Sequence, residues 1–128
     1  MATNDEWLAQ VPEATIDPET LICDPHHHLW GLRDNGVEPR YLMAEIQQDL
    51  QSGHNINSTV FIECNAMYRA DGPNEMKPVG EVEFANGIAA MAVSGLYGNT
   101  KVAAGIIGFA ELQSGSRVKG PLDAQIAA

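Results

Sequence analysis

Basic side chains are scarce in this chain: 7 lysines and arginines stand against 17 aspartates and glutamates, for a formal net charge of −10. Nucleic acid and anionic membrane surfaces reward clustered Lys and Arg, so both are disfavoured as partners. No apolar run approaches the roughly 18 residues that a membrane span needs. Residues 1–15 lack the basic start and apolar core of a secretory signal, and the expected location is cytoplasmic. Cys23 and Cys64 are too few for a disulfide framework; each falls in an apparent buried strand, so reduced core thiols are expected. No Gly-x-Gly-x-x-Gly follows the first strand-like run and there is no Walker loop, which leaves nucleotide cradling without support. What is present is 45% hydrophobic residues over 128 positions, enough for one globular domain.

Three of the 4 histidines are consecutive, in Asp24-Pro25-His26-His27-His28-Leu29-Trp30, after the short apolar run Leu21-Ile22-Cys23. In extended backbone alternate side chains share a face, so His26 and His28 point one way and His27 the other. Two neutral imidazoles aimed at one spot are a start on a divalent-metal site. The bland reading is a strand end with solvated rings. His27 is expected either to support the site from behind or to turn into packing. Asp24 is expected either to orient a ligand imidazole or to cap local backbone donors.

Residues 1–20 are acidic, hold Pro12 and Pro18, and read as an arm whose anchors would be Trp7, Leu8 and Val11. Residues 21–128 form the body. A strand over 21–24 leads to a loop over 30–40, where Asp34-Asn35-Gly36 and Pro39 favour turns. Leu42, Ile46 and Leu50 mark a helix over 41–52, with Gly53 as its stop. A second strand spans 57–65. Val60, Ile62 and Cys64 would pack on helices, while Thr59, Phe61, Glu63 and Asn65 would face a barrel interior. A loop over 66–77 is long for a connection, and a helix follows over 78–94. Gly87 in its interior costs about 1 kcal/mol against alanine unless close packing requires it. A third strand is expected over 101–110, where Gly105 and Gly108 imply close approach. The last helix is expected over 117–128, and its ending on Ile126-Ala127-Ala128 reads as a truncation. The strand–helix alternation predicts a parallel α/β layer, as in part of a barrel or half of a doubly wound sheet.

Three further residues stand near this chemistry. Glu63, where the second strand leaves the core, is a candidate substrate contact or metal neighbour, against a buried carboxylate paired with a base. Tyr68 and Arg69 could hold an anionic substrate through hydroxyl and guanidinium donors, against a plain loop salt bridge. His54, in the turn Gly53-His54-Asn55, is expected to be solvated.

Asp24-Pro25-His26-His27-His28-Leu29-Trp30 resembles the Asp-x-His-x-His signature on the first barrel strand of the amidohydrolase superfamily, in its amidohydrolase 2 (amidohydrolase-related) branch. The stretches Ser58 to Pro73 and Val79 to Phe84 look like the same branch. The resemblance implies an α/β fold: a partial (β/α)8 TIM barrel of about three βα units after an N-terminal arm, since a whole barrel takes about 250 residues. It implies a divalent metal, zinc first with manganese or iron as alternatives, held by His26 and His28 and by residues beyond Ala128. The main acid/base would also lie beyond Ala128. The implied reaction is hydrolysis of a lactone, ester or amide of a small organic acid; nonoxidative decarboxylation on the same fold is the rival. The isolated chain would then be inactive as a hydrolase. A non-catalytic module that binds metal or a partner, a homo-oligomer among the options, is the rival of another class. A cupin-like β-barrel also uses His-x-His, but the helical stretches argue against it.

Overall fold

The structure, a computed structural model, describes residues 4–32 and 40–128. The expected turn at Asp34-Asn35-Gly36 and Pro39, and the first three residues of the arm, lie outside them. In chain order the elements are α1 (Asn4–Leu8), β1 (Leu21–His27), α2 (Met43–Leu50), β2 (Asn55–Ile62), α3 (Val79–Val93), β3 (Lys101–Ile107) and α4 (Lys119–Ala127). Short 3-10 turns precede α3 and α4 at Asn74–Met76 and Leu112–Val118. The strands form one parallel sheet in the order β1-β2-β3. Parallel neighbours need a crossover, and α2 and α3 supply the two here.

The core lies on one face of this sheet. Phe61 and Leu29 are fully buried among Met43 and Ile46 of α2, Ala85, Ile88 and Ala92 of α3, and Val102 of β3. This reverses the expected facing of β2. Thr59 and Phe61 turn to the helices, while Val60, opposite Gly105, and Ile62, opposite Ile107, lie on the open face. The strand ends at Ile62, and Asn65 takes a left-handed backbone (φ 60°), so the polar residues 63 and 65 do not continue its alternation. They were no guide to which side faced the helices.

Other expectations are corrected too. Trp7, Leu8 and Val11 do not anchor the arm: they are 65%, 56% and 71% exposed. Cys23 is exposed, because β1 is an edge strand whose first half is poorly covered. A side chain on Gly87 would meet nothing within 4 Å, so close packing does not explain that glycine. Gly108 is a true close approach, since a Cβ there would lie 2.6 Å from Val82 Cγ2.

Candidate metal centre

β1 ends in the histidines where its ladder with β2 slips: Asp24 pairs with Thr59 and His27 with Phe61, three positions along β1 against two along β2. Strand alternation then splits the three rings as expected. His27 turns to the helix side, 8% exposed, with its Nε2 2.8 Å from Thr59 Oγ1 and its ring edge-on to Phe61. Burial lowers its pKa, against the pull of Asp24, so it is a packed neutral imidazole.

His26 and His28 point the other way and converge. Their Nε2 atoms are 3.2 Å apart and the rings meet edge to face. His28 Nδ1 lies 2.8 Å from the Ile62 carbonyl oxygen. A carbonyl can only accept, so Nδ1 carries the proton and Nε2 presents a lone pair, the tautomer that metal-ligating histidines adopt. Two imidazole nitrogens on one tetrahedral ion at about 2.0–2.1 Å sit about 3.3–3.4 Å apart. The pair fits a divalent ion on both counts. Asp24 Oδ1 accepts the His26 backbone N–H at 3.1 Å, so it caps the strand end rather than supporting an imidazole.

Glu63 is half-buried, and its backbone N–H donates to Ile107 at 2.9 Å. Among the described residues no cluster of three or more His, Cys, Asp or Glu side chains could hold a metal, so Glu63 does not complete the pair. Arg69 is an exposed loop residue whose guanidinium grips the Glu83 carboxylate, the salt-bridge alternative of the sequence reading. That contact lowers the Glu83 pKa and raises that of Arg69. Tyr68 is half-buried with its hydroxyl enclosed and unpartnered. Burial, then the charges of Glu81, Glu63 and Cys64, pushes its phenol up to about 12. His54 is exposed, as expected.

Sequence reasoning passed over Glu81, in the first turn of α3. It is fully buried, and its Oε1 accepts the backbone N–H groups of Cys64 (2.9 Å) and Ala66 (2.7 Å). The segment it clasps holds two non-glycine residues in the left-handed region, Asn65 and Met67 (φ 60° and 54°), a conformation costing about 1–3 kcal/mol each where the surroundings enforce it. Gly80 allows the close packing, since a Cβ there would lie 2.6 Å from the Met67 carbonyl oxygen. An acid in a helix's first turn is common on surfaces, so composition gave no signal; only the fold-back of the loop buries it. The groove between α3, β3 and α4, lined by Val82, Asn86, Ile106, Leu122 and Gln125, carries no titratable side chain and lies apart from this chemistry.

Compared with known proteins, the chain matches no family model, no curated protein and no solved structure.

Proposed function

We propose that this chain is the N-terminal part of a metal-dependent hydrolase with a (β/α)8 barrel of the amidohydrolase-related type. His26 and His28 would hold a divalent ion, zinc first, and the substrate would be a lactone, ester or amide of a small organic acid. One observation carries the reading: two imidazole nitrogens converge at the carboxyl end of a parallel strand, one ring locked by a carbonyl in the ligating tautomer. Active sites of parallel barrels lie at that end. The ion would supply Lewis acidity toward a carbonyl and toward water. The residues of this chain would do the rest of the placing. The Ile62 carbonyl sets the His28 ring, and Asp24 fixes the His26 backbone. The Tyr68 phenol stays protonated at neutral pH and remains a donor. To contact substrate, Arg69 would have to exchange Glu83 for a substrate carboxylate, and the enclosed Tyr68 hydroxyl would have to be uncovered. Cys23 and Cys64 form no disulfide, which suits a reducing compartment such as the cytoplasm.

Titration of the full chain with Co²⁺, followed by its visible absorption and by calorimetry, tests this. One ion per chain is expected, with His26→Ala and His28→Ala each weakening binding at least tenfold. Binding that survives the double substitution would remove the site.

A further inference from the structure

The segment clasped by Glu81 is also the one that braces the histidine strand. Ile62 holds the His28 ring through its carbonyl. Two residues on, the Cys64 thiol donates to the Leu29 carbonyl at 3.4 Å. Beyond that, Met67 reaches over Gly31, where a Cβ would lie 2.8 Å from its Cε. Residues 62, 64 and 67 thus touch 28, 29 and 31 in order, running alongside the carboxyl end of β1. Asn65 and Met67 of this segment sit in sparsely populated backbone conformations, which persist only where neighbours over-determine them. The buried neighbour that does so is the Glu81 carboxylate, with Gly80 beside it. No cation pairs with Glu81 among the described residues, and its Oε2 has no partner there. A buried carboxylate without a cation is an expensive way to fill core. What it supplies is one carboxylate oxygen that accepts two hydrogen bonds, from the part-buried Cys64 amide and the buried Ala66 amide.

We infer that Glu81 is a positioning residue: by gripping the Cys64 and Ala66 amides it fixes the 62–67 brace and, through it, the orientation of the His28 ring. Its bearing on metal binding rests on the function proposed above, but its bearing on His28 does not. In Glu81→Gln a carboxamide oxygen can still accept both amides; in Glu81→Leu the side-chain acceptor is gone.

Nitrogen-15 NMR of the full chain reads the two effects separately. In the wild type the His28 ring should show a protonated Nδ1 and a bare Nε2, and the Cys64 and Ala66 amides should exchange slowly. Glu81→Gln should keep all three signals and bind Co²⁺ within about threefold of wild type. Glu81→Leu should lose the amide protection and the single His28 tautomer, and its Co²⁺ affinity should fall at least tenfold. Should Glu81→Leu not fold, Gly80→Ala pushes the same brace from outside and should mix the His28 tautomers with Glu81 intact. A single, unchanged His28 tautomer in Glu81→Leu, or in Gly80→Ala where that replaces it, would overturn the inference. So would Glu81→Gln behaving like the leucine variant. If the wild type binds no Co²⁺ at all, the metal reading fails while the amide and tautomer signals still decide the role of Glu81.

Discussion

Thr59 shows how much one hydroxyl carries here. It is fully buried on the helix side of β2, and its Oγ1 meets two partners: the Ala103 backbone N–H at 2.9 Å and His27 Nε2 at 2.8 Å. The ladder between β2 and β3 slips between Ser58 and Val60, and Ala103 takes a left-handed backbone (φ 52°), so this side chain serves as the acceptor for the Ala103 amide. Valine has nearly the same shape and no oxygen. Thr59→Val would leave a buried amide and an imidazole nitrogen unpaired, and an unsatisfied buried group costs about 1–3 kcal/mol. Chemical denaturation should show a loss of at least that size for Thr59→Val and a smaller one for Thr59→Ser. A valine variant within ~0.5 kcal/mol of wild type would mean that water or a backbone shift replaces the hydroxyl. The period-2 argument that sent His27 away from its neighbours also places it against Thr59. The hydrogen bond itself was not legible, because the slip in the ladder that brings Ala103 to Thr59 has no mark in the sequence.

Among elements, the order strand–helix–strand–helix–strand–helix was legible because helices and strands bury residues at different periods. The convergence of His26 and His28 was legible for the same reason. Facing was not. Polar residues 63 and 65 were read as the end of β2, but the strand stops at Ile62 and the chain turns through left-handed backbone. Past that turn, parity carries no information about the sheet. The loop this creates encloses Tyr68, and that gives it a pH dependence with a definite sign. The unfolded phenol titrates near 10, the folded one at about 12. Between those values the folded chain binds the extra proton, so stability from this group is fully present below pH ~10 and is lost as pH rises toward ~12. Tyr68→Phe should flatten the alkaline limb of a stability profile, and the phenolate absorbance it removes should be the part that rises last in a titration at 295 nm. If the absorbance it removes rises near pH 10, the hydroxyl is not enclosed in solution.

For the whole molecule the tension is between an uncovered sheet and a strong like charge. Parallel sheets are found almost only with both faces covered. Here α2 and α3 cover one face. On the other, Val60 and Ile62 are half-buried and Ile107 is 54% exposed. Among the described residues no strand pairs with the outer edges of β1 or β3, and such edges invite pairing with another chain. The net charge of −10 opposes that pairing between copies. Charge repulsion reaches about 30 Å in 0.01 M salt but only about 3 Å at 1 M, whereas burial of apolar surface is not screened. Added sodium chloride should therefore shift the chain from monomer toward associated species, read by sedimentation velocity across that range. Ile107→Lys should suppress the shift. Its effect on the unfolding midpoint should be small, because more than half of Ile107 is already in water. Association that ignores salt, or that Ile107→Lys leaves intact, would place the sticky surface elsewhere, with the exposed Trp7, Leu8 and Val11 of the arm as the next surface to change.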